Sequence, residues 1–167
     1  MKCTLLLLFS LYVNVTIAQQ DSITVYYFMG EDCPICQDYS TLMVDLYEEY
    51  NAENISFVGL FPNRYSTTKG IDNYQKKYAI PFPLKREFFQ TKTKLFDIKV
   101  TPEVVVYNET QAKMIYKGRI DNMYARVGKR RRVVNTSELE DVLAEIQKGA
   151  FIEYSETVAV GCFITLE

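Results

Sequence analysis

The sequence predicts an α/β fold, on three observations. A run rich in β-branched and aromatic residues over 22–29 ends at Gly30 and has the form of a largely buried strand. From Ile35, apolar residues at Tyr39, Leu42, Met43, Leu46, Tyr47 and Tyr50 recur at spacings of three and four, the stripe of a core-packing helix. A second strand over 55–60 and a helix over 67–78, weakened by Gly70, repeat the alternation, and alternating strands and helices build α/β layers.

The remaining elements follow in order. Pro81 and Pro83 bracket a short extended piece, after which the pattern predicts a helix over 88–96 and a strand over 104–107. A turn at 108–111 leads to another strand over 112–116, giving a terminal antiparallel pair. Ser137 with Glu140 has the form of a capping box; Leu139, Val142, Leu143 and Ile146 then share one helical face, and Gly149 ends the helix. Residues 150–167 mix Phe151, Ile152, Val158, Val160, Phe163 and Ile164 with Gly161 and Cys162. So apolar a segment is expected to pack back on the domain.

Lys2, the apolar run 4–12 and Thr16-Ile17-Ala18 ahead of Gln19 have the charge, length and small-residue exit of a secretory signal peptide. The expected organisation is a signal peptide at 1–18, a domain at 19–149 and a C-terminal extension at 150–167, in an exported protein, periplasmic or secreted. No later segment reaches membrane-spanning length, so the chain without its leader is not expected to span a membrane. The 167 residues are 48% hydrophobic, enough for one ordinary core. With 19 basic against 21 acidic residues, no net positive field draws nucleic acid. The basic cluster 129–132 is expected on solvated surface.

The chain has no histidine. That removes Ser-His-Asp and Cys-His catalysis, His-ligated zinc and haem attachment, and leaves sulfur, carboxylates and lysines to carry the chemistry. Outside the leader, which holds Cys3, the thiols are Cys33, Cys36 and Cys162. Cys33-Pro34-Ile35-Cys36 opens the first helix, with Pro34 in the first turn, where a missing N–H costs nothing. Unpaired backbone N–H groups and the positive end of the helix dipole favour thiolate at the first sulfur. Cys33 is thus the expected nucleophile and Cys36 the resolving thiol. A bridge across so short a loop constrains the unfolded chain little, which favours redox over structural use. Glu31 and Asp32 oppose the thiolate, so the sign of the Cys33 shift stays open. Cys162 is either a buried apolar thiol or a third redox thiol exchanging with the pair.

Val100-Thr101-Pro102-Glu103 sets a proline at the entrance to a strand, where its lack of a donor is tolerated. With Asp32-Cys33-Pro34, Phe82-Pro83-Leu84, the stretch 116–122 and Val160-Gly161-Cys162-Phe163-Ile164, this order of motifs resembles the thioredoxin-like superfamily. Within it the chain is similar to secreted redoxin or peroxiredoxin-like proteins of the alkyl hydroperoxide reductase/thiol-specific antioxidant type. The resemblance implies a three-layer α/β/α sandwich around a mixed central sheet. It also implies Cys33 as attacking thiol, Cys36 as resolving thiol, and Thr101 with Pro102 as the platform for an extended substrate.

Two departures weigh on function. The position before Cys33 is Asp32 where thioredoxins usually have Trp, and no acid occupies the preceding strand. Gly30 stands where peroxiredoxins place Thr or Ser, which makes peroxide reduction the weaker reading. The leading expectation is a thiol–disulfide oxidoreductase needing no cofactor, acting on protein or small-molecule thiols and disulfides and coupled to a redox partner protein. The alternatives are a thiol peroxidase and a Cu(I)-binding metallochaperone using Cys33, Cys36 and Cys162; no other metal site is expected. Arg119 is expected to pair with Asp121 or contact the turn.

Overall fold

The computed structural model describes residues 20–150 and 152–165. The expected signal peptide, Cys3 and Phe151 lie outside them. In chain order the elements are β1 (Ile23–Phe28), α1 (Pro34–Tyr50), β2 (Ile55–Phe61), α2 (Thr68–Lys77), β3 (Leu84–Arg86), α3 (Thr91–Leu95), β4 (Val100–Thr101), β5 (Glu103–Asn108), β6 (Lys113–Gly118), β7 (Tyr124–Arg126), β8 (Lys129–Arg130), α4 (Glu138–Gln147), β9 (Ser155–Glu156) and β10 (Cys162–Phe163).

β1 is buried along its whole length because it lies inside the sheet. Six strands run in the order β3-β2-β1-β5-β6-β9. β1 pairs parallel with β2 and antiparallel with β5, β5 pairs antiparallel with β6, and β6 pairs parallel with β9, so the sheet is mixed. Strand alternation divides its side chains between two cores. Ile23, Val25 and Tyr27 face a core shared with α1, α2 and α4, through Tyr39, Met43, Ile71, Tyr74, Leu139 and Leu143. Tyr26 and Phe28 face a smaller one with Leu60, Phe96, Ile98, Val105 and Ile164.

The aromatics of the larger core pack as a cluster. Tyr27 lies 5.6 Å from Phe82 and 6.2 Å from Phe57, and Tyr47 lies 5.5 Å from Phe57, ring centre to ring centre. Each such pair adds about 0.5–1.5 kcal/mol beyond the burial of its area.

α2 starts where Thr67 accepts a hydrogen bond from Gly70 N (3.0 Å), which offsets part of the cost of a glycine in the first turn. Three sequence expectations are corrected. The helix predicted over 88–96 shrinks to α3, because Gln90 takes a left-handed conformation (φ 52°) and Glu87 turns its carboxylate onto the first amides, accepting from Thr93 N (3.3 Å) and Lys92 N. Phe88 and Phe89 lie outside the helix and are exposed. Ser137 precedes α4 as expected, yet its side chain makes no capping bond. Arg119 pairs with Glu138 and not with Asp121, whose carboxylate accepts from Tyr39 Oη and Met123 N.

The C-terminal segment pairs at two places, once on the six-stranded sheet and once in a separate two-stranded sheet. β9 adds to the edge of β6, and β10 pairs antiparallel with β4, Cys162 opposite Thr101 and Phe163 opposite Val100. Ile164 N donates to Lys99 O (3.0 Å), and Gln90 Nε2 donates to Thr165 O (2.8 Å) and to Pro62 O (3.0 Å). Among the described residues no helix is long and apolar enough to cross a membrane.

Candidate active site

The site forms where β1 hands over to α1. Cys33 N donates to Gly30 O (3.2 Å), closing a tight turn, and Cys33 then caps α1 in extended backbone with Pro34 at the first helical position. Gln37 N donates to Cys33 O (3.1 Å), and its side chain clasps Glu31 O (2.9 Å). No side chain caps this helix end and no acid lies in its first turn, so its positive end acts on the Cys33 sulfur unopposed.

Gly30 is a close-approach position. A Cβ there would lie 3.3 Å from Thr101 Oγ1, 3.4 Å from Asn63 Nδ2 and 3.4 Å from Cys33 Cβ. A hydroxyl-bearing side chain, which peroxide chemistry calls for, would fit here only if these side chains gave way by a few tenths of an ångström.

Cys36 is fully buried one turn below, with Gly30 N donating to its sulfur (3.4 Å). Its carbonyl accepts from Ser40 Oγ (3.1 Å) and Tyr74 Oη (2.9 Å), which fixes the helix turn that carries it. Neither partner was singled out from the sequence. Ser40 was within reach, since a serine four residues on commonly bonds back to the helix carbonyl; Tyr74 comes from α2 and leaves no local trace.

Opposite α1 stand Thr101 and Pro102, joined by a cis peptide bond. As a thiol, Cys33 donates to Thr101 O (3.2 Å). Cys33 is only 4% exposed and shares the lining of an open cavity of about 260 Å³ with Cys162, Asn63, Tyr65 and Phe163. The structure thus brings together Cys33, Cys36, Thr101, Pro102 and Cys162, and leaves Pro34 exposed on the rim.

The three sulfurs differ electrostatically. The hydrogen bond from Cys36 draws the Cys33 thiol down to about 5, against the opposing effect of burial, and a further bond from Cys162 adds to it. Burial first, and then the same bond to Cys33, holds Cys36 well above an ordinary thiol. Burial, and then its bond to Cys33, pushes Cys162 up to about 12. Cys33 is therefore the thiolate that both neighbours serve as donors. Glu31 is turned aside, its carboxylate accepting from Ser66 Oγ (2.6 Å) and Thr67 N (3.3 Å), and Asp32 is exposed. The opposition expected from these two acids does not govern the site.

This is the thioredoxin-like fold. An uncharacterised conserved protein from Geobacillus kaustophilus matches with a TM-score of 0.74 and 21% identity over 89% of this chain and 79% of that one. A hypothetical protein from Sinorhizobium meliloti 1021 matches at 0.73 and 19%, over 87% and 80%. A secreted Mycobacterium tuberculosis disulfide oxidoreductase homologous to E. coli DsbE matches at 0.54 and 15%, over 74% and 81%. No family model and no curated protein matches the chain. These likenesses show the fold, and none of them points specifically to the narrower peroxiredoxin type.

Proposed function

We propose that the protein is an exported thiol–disulfide oxidoreductase working through Cys33 and Cys36. The asymmetry of the pair carries this reading: Cys33 is acidified at a helix N-terminus while Cys36, one turn away, is buried and held protonated. A low-pKa thiolate attacks and leaves readily, and a high-pKa thiol waits to resolve.

In the reducing direction, Cys33 thiolate attacks one sulfur of a substrate disulfide. The substrate S–S bond breaks, a Cys33 mixed disulfide forms, and the first substrate sulfur departs as thiolate and takes up a proton. Cys36 loses its proton and attacks Cys33 Sγ, forming the Cys33–Cys36 disulfide and expelling the second substrate sulfur, which is protonated in turn. Two electrons pass from protein to substrate. Thr101 and Pro102 serve as the backbone platform beside the reacting sulfur, substrates are protein or small-molecule disulfides, and a dithiol partner protein restores the reduced state.

Neither alternative gains from the geometry. Peroxide reduction lacks a hydroxyl at position 30, and among the described residues no group of three or more His, Cys, Asp or Glu side chains is placed to hold a metal ion. The test is exchange with a model protein disulfide. Cys33→Ser is expected to abolish turnover, and Cys36→Ser to accumulate a mixed disulfide at Cys33 instead of releasing product; a Cys33→Ser protein with full exchange activity rules the reading out.

A further inference from the structure

Beyond the Cys33–Cys36 pair, we propose that Cys162 is a second, built-in disulfide partner of Cys33, delivered to it by the C-terminal strand. This rests on Cys33 being the attacking thiol.

Three geometric observations support it. β10 lies along β4, the strand whose Thr101 carbonyl receives the Cys33 thiol, and its register sets Cys162 opposite Thr101. That register is held on the far side of Cys162 by Ile164, buried in the smaller core and bonded to Lys99 O, and by Gln90 on Thr165 O. A slip of one residue would reverse which side chains face inward and present Phe163, now 85% exposed, in place of the thiol. On the near side, Gly161 passes so close that a Cβ would stand 2.2 Å from Thr101 O and 2.6 Å from Thr101 C. Only glycine lets the strand lie this close to the Thr101 backbone.

Cys162 packs against the edge of the larger core without being enclosed by it. It is partly exposed and lines the cavity that Cys33 opens into. The strand holds the edge of β4 as an added peptide would, with a cysteine where that peptide's reacting sulfur would sit.

The step balances within the proposed chemistry. Once Cys33 carries a substrate sulfur, Cys162 gives up its proton and attacks Cys33 Sγ; the Cys33–substrate bond breaks, the Cys33–Cys162 bond forms, and the released thiolate takes the proton. Cys36 then attacks Cys33 Sγ in the same way, forming Cys33–Cys36 and returning Cys162 as a thiol. The two electrons still go to the substrate disulfide, and while Cys33 is bridged to Cys162 it is closed to a second substrate.

The experiment is disulfide mapping by mass spectrometry after treating the reduced full chain with glutathione disulfide. In Cys36→Ser the expected main product is a Cys33–Cys162 bridge with glutathione released. A lasting glutathione adduct on Cys33, with Cys162 free to be alkylated, overturns the inference and leaves the proposed function standing. Failure of wild-type Cys33 to form either an adduct or a bridge removes the proposed function itself, and this inference with it. Should Cys36→Ser fail to fold, acid-quenched time points of the wild-type reaction decide: a Cys33–Cys162 peptide preceding Cys33–Cys36 is expected, and its absence at every time point overturns the inference.

Discussion

Cys36 and Cys162 reach the same sulfur by opposite routes. Cys36 comes from the helix that Cys33 itself caps, and the turn of that helix fixes its place. Cys162 comes from a two-residue strand near the end of the chain, placed by backbone pairing to β4 and by anchors on either side. The first arrangement is local and covalently short, so it survives as long as α1 does. The second depends on long-range contacts and is the part of the site that a distant substitution can remove.

The sharpest way to test that contrast is the Cys33 thiolate itself. Its alkylation rate is expected to follow a midpoint of about 5. The bond from Cys36 is the largest cause of that depression and the bond from Cys162 a lesser one, so Cys36→Ala should raise the midpoint more than Cys162→Ala. At a pH below the midpoint, raising it by about one pH unit cuts the thiolate fraction about tenfold. Equal effects of the two substitutions would erase the contrast.

The same acidities set a pH dependence in the reduced protein. Cys33 is more acidic folded than unfolded, so its contribution to stability is fully present above the unfolded thiol value of about 8.5 and is lost as pH falls through about 5. Cys36 and Cys162 are less acidic folded, so theirs is lost as pH rises above about 8.5. Denaturant midpoints of the reduced protein should therefore rise from about pH 5 toward about 8.5 and fall beyond it. A flat profile would show that the three sulfurs do not interact.

Gly161→Ala tests the tail directly. The new methyl meets the Thr101 backbone at 2.2 Å, and backbone cannot rotate away as a side chain can. A cost of about 1–3 kcal/mol is expected, with β10 displaced from β4. Cys162 should then alkylate faster, while wild-type labelling at Cys36 stays slow. Unchanged Cys162 labelling would show that its position does not depend on this crossing.

What the sequence revealed follows the same division. β1, α1, β2, α2 and the β5–β6 pair were legible because each is a local pattern with its own period or turn. Cys33 and Cys36 were legible because their spacing and helix position are local too. The short α3 was not, since the left-handed Gln90 breaks the helix expected from Phe88 and the Glu87 carboxylate starts it anew at Thr91. Nor was the Arg119–Glu138 pair, which joins the end of β6 to the start of α4. Cys162 could be singled out as a thiol, but its place beside Cys33 is set by a two-residue pairing that no periodicity records.

The smallest effect is expected from the acids nearest the motif. Adjacent in sequence, Glu31 and Asp32 would be expected to raise the Cys33 midpoint by repelling its thiolate. In the fold the Glu31 carboxylate is spent on Ser66 and Thr67 at the start of α2, and Asp32 faces water, where its field is screened. Asp32→Asn should therefore lower the alkylation midpoint by less than removal of either sulfur raises it, and the change should shrink further with added salt. A change as large as that of Cys36→Ala would mean that charge next to the motif, and not the hydrogen bonds from the two sulfurs, sets the acidity of Cys33.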